Sequence, residues 1–466
     1  MRDLPEDLHE RLRRWGQLHL LHGWERLSGV ERAGLIRQLT ELPWEELVSL
    51  ATRTSTSKKA WDYETLEPPP VSPAATTAEE RTVGQATLAQ GRVALLVVAG
   101  GQGTRLGRDE PKGLFPIGPL SGASLFQIHA EKVLALSRRY QRPLLWLIMT
   151  SPATDAATRA FFEQHGYFGL KQDQIRFFQQ ATVPVLCAQS HRLLLESPGR
   201  LLLSPNGHGG TLTALAEHGL LDELESQGID HIFYFQVDNP LVRIGDAGFL
   251  GRHVLHQADV SSKVVWKHHP QEKVGVFAVQ QGRCILVEYS DLPLEVAQQQ
   301  TSTGRLRFAA GNPAIHIFRR DFLQRLITHG QLPYHLAHKV APYYDPILNQ
   351  QVVPASPNAL KFERFIFDAL PHARRWLLVE TPREEEFAPL KNAEGPDSPT
   401  TVRQAILALH RRWVESCGVQ VEGNPAVEIS PLLAMDAEEL AQRLPSGYRL
   451  SGPLYLRPPL SGIRLR

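Results

Sequence analysis

Apolar positions recur along the chain in two different rhythms. Over residues 1 to about 54 they keep helical spacing: Leu8, Leu12, Trp15, Leu18 and Leu21, then Leu35, Leu39, Leu47 and Leu50. Pro43 marks either a break or a first-turn residue in that pattern. From Val93 onward the rhythm changes to short continuous apolar runs: VALLVVAGG, LLWLIMTS, IRFFQQ, HIFYFQVDN and SSKVVWK. Between them lie helical patterns, among them FQIHAEKVLALSRRY, TDAATRAFFEQH and TLTALAEHGLLDELESQG. Buried strands alternating with helices predict an α/β fold, a Rossmann-like doubly wound and mostly parallel sheet covered on both faces. In such sheets ligands sit beyond the carboxyl ends of the strands.

The same pattern divides the chain into an N-terminal helical region (1–65), a connector (66–90), a catalytic domain (91–400) and a small C-terminal domain (401–466). The connector, around LEPPPVSPAATTAEE, is rich in Pro and Thr and predicts a linker or wrapping segment rather than an element of its own. The last region opens with one helical pattern, TVRQAILALHRRWVESCG, followed by short strand-like pieces.

Charge narrows the function. The 466 residues carry 50 Lys and Arg against 49 Asp and Glu, a formal net charge of +1. No protein-wide positive field is available for nucleic acid or an anionic membrane, so any basic function must be local. Cys187, Cys284 and Cys417 are odd in number and in no metal-binding spacing, which excludes a disulfide framework and a zinc site. With no apolar h-region at the start and no run approaching ~18 apolar residues, the expectation is a cytoplasmic protein without a membrane span.

The sharpest local feature is VVAGGQGTRLGRDEPKG, residues 97–113. A buried strand runs into Gly100, Gly101 and Gly103, which would allow positive φ and bring N–H groups close to an anion. Arg105 and Lys112 add two cations to the same turn, a combination suited to a polyphosphate. A plain glycine-rich turn would rarely carry both. Gly101, Gly103 and Gly107 approximate a dinucleotide-binding spacing, but Pro111 falls where the phosphate-binding helix should run. The acidic residue expected after the next strand is also replaced by Thr150 and Ser151, which weighs against a nicotinamide-dependent oxidoreductase. A Walker A loop is excluded because no Gly-Lys-Ser/Thr follows. Asp238, at the carboxyl end of FYFQVDN, would project into the same crevice as a hard oxygen ligand for Mg²⁺.

Residues 97–113 resemble the glycine-rich signature of UTP-dependent nucleotide-sugar pyrophosphorylases, the eukaryotic type that includes UDP-N-acetylhexosamine and UDP-glucose pyrophosphorylases. The resemblance continues in order through SPNGHGG, FQVDNPLVRIGDAGFLG, VGVFAV, VEYSD, AAGNPAIHIF, KFERFIFDAL and EFAPLKNAEGPDSPTT, covering roughly Val93 to Ser430. It implies a fold of the nucleotide-diphospho-sugar transferase type and a uridylyltransferase that joins UTP to a sugar 1-phosphate, releasing a UDP-sugar and pyrophosphate. Nucleotide contacts are implied for Ala99, Gly100, Gly101, Gly103, Thr104, Gln180, Gly207, Asp238 and Lys361, with Mg²⁺ on Asp238. His208, Glu288, Tyr289 and Asn312 would face the sugar. Arg105, Lys112 and Lys391 would carry the catalytic charge.

Such a transfer needs alignment and neutralised charge more than covalent chemistry, because the attacking phosphate oxygen is already anionic. One motif departs from the family: where the hexosamine branch has Gly-Asn-Gly-Gly and the glucose branch Gly-His-Gly-Asp, this chain reads Gly207-His208-Gly209-Gly210. The APLKNAE and DSPTT segments look like the hexosamine branch, so N-acetylglucosamine 1-phosphate is the expected substrate, with glucose or galactose 1-phosphate as the alternative.

Overall fold

A computed structural model describes residues 4–53, 62–330, 332–445, 448–450 and 452–458. Residues 54–61 of the expected N-terminal region and 459–466 of the C-terminal one lie outside the described residues. The chain forms two compact units that cut across the linear order. One combines residues 1–62, 180–210 and 332–366; the other combines 63–179, 211–331 and 367–466.

The larger unit is built on a ten-stranded sheet. In chain order its strands are β1 (Val93–Val98), β2 (Trp146–Thr150), β3 (Ile175–Gln179), β4 (His231–Gln236) and β5 (Val260–Trp266), then β6 (Val276–Gln280), β7 (Arg283–Val287), β8 (Ala310–Gly311), β9 (His316–Arg319) and β10 (Trp376–Glu380). They are ordered β7-β6-β8-β5-β9-β4-β1-β2-β3, with β10 paired to β5. Strands β1–β6 and β10 run one way and β7, β8 and β9 the other, because β4, β1, β2 and β3 pair in parallel and β9 is antiparallel to both β4 and β5. The expected mostly parallel α/β sheet is therefore present, and every apolar run singled out in the sequence is one of its strands. All five residues of β2 are buried, as a strand covered on both faces requires.

Helices Leu125–Arg139 and Asp155–Gln164 connect β1 to β2 and β2 to β3. The first starts at Ser124, whose hydroxyl accepts from the Gln127 N–H, and buries Phe126, Ala130 and Val133 in the main core. The long helical pattern 211–228 breaks into Gly210–Glu217 and Leu220–Ser226 at Gly219, whose φ is +65°.

The connector contains more than the sequence reading allowed. Ala78–Ala89 is an α-helix with a capping box: the Glu80 N–H donates to the Thr77 hydroxyl and the Thr77 N–H to the Glu80 carboxylate. It is stabilised less by apolar area than by close approach to helix Ala247–Leu255, which two glycines permit. A Cβ on Gly84 would lie 1.8 Å from the Ala247 carbonyl oxygen, and one on Gly251 1.6 Å from that of Glu80. The buried Arg252 guanidinium, 2.7 Å from Glu80, seals the crossing and holds that carboxyl below its usual range. The stretch before the helix does wrap the sheet, through bridges from Glu67 to Val279 and from Ser72 to Val379.

Helix Pro399–Ser416 buries Val402, Ile406 and Leu409 in the main core. Val414 instead joins Val427, Ile429, Leu440, Leu450 and Leu456 in a small separate cluster, held by two parallel strand pairs.

In the smaller unit, helices Glu6–Arg14, Gly29–Glu41 and Trp44–Arg53 do not close a core alone, as expected for so few residues. Leu8, Leu12, Leu35, Leu39 and Trp44 pack on Leu186, Leu195, Leu360 and Phe362, contributed by the two later segments. Pro43 stands at the break between the second and third helices.

Candidate active site

Strand β1 lies between β2 and β4. The chain leaves β1 outward through β2 and β3, then returns to place β4 on the other side, so the loops after β1 and β4 diverge and open a crevice. Both strand ends are pinned: Ala99 N–H donates to Met149 O (2.8 Å), Ser151 Oγ to Gly100 O (2.8 Å) and Val237 N–H to Val98 O (3.1 Å).

The glycine loop doubles back on itself. Gly103 N–H donates to Glu110 O at 2.9 Å and Lys112 N–H to Gly101 O at 3.0 Å, with a 3₁₀ turn over Thr104–Leu106 that leaves Thr104 and Arg105 exposed. The doubling returns Lys112 to the strand end, and its Nζ lies 3.3 Å from Asp238 Oδ2, beyond the end of β4. Gly113 seats this turn on the core, since a Cβ there would lie 2.1 Å from the Phe126 ring. The reason expected for the glycines is corrected here. Gly100, Gly101 and Gly103 do not take positive φ; Gly107 does, at +72°. A Cβ on Gly101 would meet nothing within 4 Å, so its small size is not demanded by the chain's own packing and leaves the loop backbone open to close approach.

Lys391 reaches the same crevice through backbone pairing. Leu390 N–H donates to Asp238 O (2.8 Å), and the buried Asn239 amide clamps the segment by donating to Glu386 O and accepting from Ala388 N–H. Lys391 N–H donates to Asp397 O, and its ammonium lies 5.7 Å from the centre of the Phe387 ring. Asp397 was not singled out from sequence. It sits at φ +56°, and burial pushes its carboxyl up, with Lys391 and Arg383 pulling it down and Asp238 and Glu272 adding to the rise. Its position in DSPTT, the segment that carries part of the family resemblance, was the available signal. Asn239 stood in the quoted VDN run, but only the fold shows that its side chain faces inward to another segment.

Glu288 and Asn312 converge on Gly275: Asn312 N–H donates to the Gly275 carbonyl, and Glu288 Oε1 would lie 3.3 Å from a Cβ on Gly275. Because β8 pairs with the last two residues of β5, Asn312 lies near the carboxyl end of that strand. Tyr289, beside Glu288, is 46% exposed, so its ring is open to a ligand.

The smaller unit holds Gln180, Gly207, His208 and Lys361. Gln180 is buried. Gly207 has φ +81°, and a Cβ on it would lie 2.5 Å from the Arg364 carbonyl oxygen, so only glycine fits. The His208 ring is committed to packing: its Nδ1 accepts from Ile366 N–H at 3.2 Å, and it stacks on Phe365 at 5.3 Å. Lys361 lies opposite Ala337 in the strand that leads to these contacts.

Among the described residues no three His, Cys, Asp or Glu side chains cluster to hold a metal ion. Asp238 offers a hard carboxylate at the strand end, its side chain 12% exposed. That donor set fits a Mg²⁺ whose remaining ligands arrive as phosphate oxygens and water, and does not fit a metal caged by protein alone. Also among the described residues, no helix is long and apolar enough to cross a membrane.

The family model described as UTP–glucose-1-phosphate uridylyltransferase matches residues 40–442. A UDP-N-acetylglucosamine diphosphorylase of Arabidopsis thaliana is 38% identical over 93% of this chain and 90% of its own length. A UDP-N-acetylglucosamine pyrophosphorylase of Saccharomyces cerevisiae is 35% identical over 92% of this chain and 94% of its own. The crystal structure of the uridine diphosphate N-acetylglucosamine pyrophosphorylase of Trypanosoma brucei superposes with a TM-score of 0.79 at 26% identity, covering 96% of this chain and 97% of that one.

Proposed function

Because this chain belongs to the UTP–glucose-1-phosphate uridylyltransferase family and is a nucleotidyltransferase, we propose that it joins UTP to N-acetylglucosamine 1-phosphate, forming UDP-N-acetylglucosamine and pyrophosphate. The observation that carries the chemistry is the meeting of Lys112 and Asp238, drawn from two strand ends into one crevice at 3.3 Å. A phosphate oxygen of the sugar phosphate attacks the α-phosphorus of UTP in line. The bond from that phosphorus to the bridging oxygen breaks, and pyrophosphate leaves with the electron pair.

Arg105 and the N–H groups of the glycine loop hold the departing pyrophosphate. Lys112 and Lys391 neutralise charge on the α-phosphoryl and sugar phosphate, as point charges on a compact head group. Mg²⁺ on Asp238, when bound, supplies further positive charge to the phosphates. No side chain needs to remove a proton, so positioning and electrostatics account for the rate.

The sugar follows from the relatives named for N-acetylglucosamine and from the APLKNAE segment that bears Lys391. His208 does not by itself call for glucose, because its ring is engaged by Ile366 and Phe365. We place the reaction in the cytoplasm, a reading supported by Cys187, Cys284 and Cys417 all being free.

The test is pyrophosphate release from UTP and Mg²⁺ with a panel of sugar 1-phosphates. N-acetylglucosamine 1-phosphate should give the highest kcat/KM, with glucose and galactose 1-phosphates below it by about tenfold or more, the scale of one to three kcal/mol from a lost set of contacts. A higher value for glucose 1-phosphate would overturn the sugar assignment, and no release with any sugar would overturn the function.

A further inference from the structure

We propose that His129 and Lys132 are positioning residues for uridylyl transfer: from adjacent positions on one helix face they grip the carbonyls on both sides of Asp238–Asn239 and hold the Asp238 carboxylate in place. The inference rests on the function proposed above. Residues three apart on a helix share a face, and here both reach the same loop. His129 Nε2 donates to Val237 O at 2.9 Å. Lys132 Nζ donates to Pro240 O at 2.5 Å and Val242 O at 2.8 Å. Val237 is also held through its N–H by Val98 on β1, so the residue before Asp238 is fixed at both backbone groups. Pro240 has no N–H, so its carbonyl is the one backbone group by which it can be held.

The chemistry of these two donors is costly for a core position. His129 has no exposed surface, and its Nδ1 is buried with no partner, so the ring gives up one nitrogen to let the other donate. Burial pulls its pKa down to about 3, leaving a neutral imidazole whose proton must sit on Nε2 to meet a carbonyl. Burial likewise pulls Lys132 down to about 7. Lys132 also lines a cavity of about 610 Å³, so its ammonium is not squeezed in by packing alone. The neighbours Phe126, Ala130 and Val133 show that this helix face can be filled with apolar side chains. A polar pair retained there serves orientation, since buried polar contacts seldom exceed an apolar core in stability.

The experiment compares wild type with His129→Leu, His129→Gln and Lys132→Met by steady-state kinetics, thermal melting and hydrogen exchange. Gln keeps an N–H donor for Val237 O; Leu and Met remove the donor. His129→Leu and Lys132→Met should lower kcat roughly 10- to 100-fold, as lost outer-shell partners of a ligating carboxylate do, with the KM for UTP close to wild type. Exchange of the amides in 237–242 should rise in both, while His129→Gln restores kcat and protection. Equal behaviour of Leu and Gln would overturn the proposal. So would a kcat loss that only follows the unfolded fraction in the melts. If Lys132→Met does not fold, the His129 pair decides. A wild type inactive with every sugar phosphate would count against the function, and the exchange comparison would still decide the positioning role.

Discussion

Lys112→Ala will lower kcat for UDP-sugar formation by roughly 100- to 1,000-fold, the scale on which a single preorganised charge or donor at a transition state acts. The protein should stay folded. Lys112 occupies a short 3₁₀ turn, its side chain is 20% exposed, and its hydrogen-bonding partner is Asp238. No apolar core contact is lost with its ammonium. Seating of the turn depends on Gly113 against Phe126, which the substitution leaves alone. Circular dichroism and melting should therefore match wild type while turnover falls. A near-normal rate would remove Lys112 from the mechanism and leave its approach to Asp238 as an ordinary partly exposed ion pair, of the kind worth little on its own.

The second large effect concerns stability. Gly251→Ala should destabilise the larger unit by about 3 kcal/mol or more, the upper range for overpacking, because the added methyl would sit 1.6 Å from a main-chain oxygen, that of Glu80. Backbone cannot move aside as a flexible side chain can. Separating helices Ala78–Ala89 and Ala247–Leu255 would also pull Arg252 from Glu80, breaking a buried charged contact. A melting temperature lower by roughly 6–12 °C is expected from that cost. Gly34→Ala is the control. It lies in helix Gly29–Glu41 with nothing within 4 Å of a Cβ, so it should be neutral or slightly stabilising. Equal melting of the two variants would contradict the close-crossing account.

The residues show why part of this was legible in the sequence and part was not. Strands β1 to β5 announced themselves because each is a continuous β-branched or aromatic run, and a strand buried on both faces can be nothing else. The crevice followed from the same runs, since Lys112 and Asp238 each stand shortly after one of them. Contacts made by absence were not legible: nothing in AEERTVGQATLA reveals that Gly84 faces a backbone. The helix itself could have been read from Thr77 and Glu80, whose spacing is that of a capping box, but the prolines before it drew attention to a linker.

The glycine loop was located for a reason the structure revises, because spacing identifies a flexible turn without giving its dihedral angles. His129 and Lys132 were hidden for a different reason. Their positions continue an amphipathic helical pattern, and only the return of β4 beside β1 shows what their polar atoms reach. The smaller unit is invisible to any linear division, since its core is shared by segments more than a hundred residues apart.

The central claim is that the sugar phosphate attacks the α-phosphorus of UTP directly. It is tested by running the reaction with N-acetylglucosamine 1-phosphate whose phosphate oxygens carry a heavy-oxygen label, and following the label by mass spectrometry. The account predicts all of the label in the UDP-sugar and none in pyrophosphate; label in pyrophosphate, or no UDP-sugar at all, would contradict it.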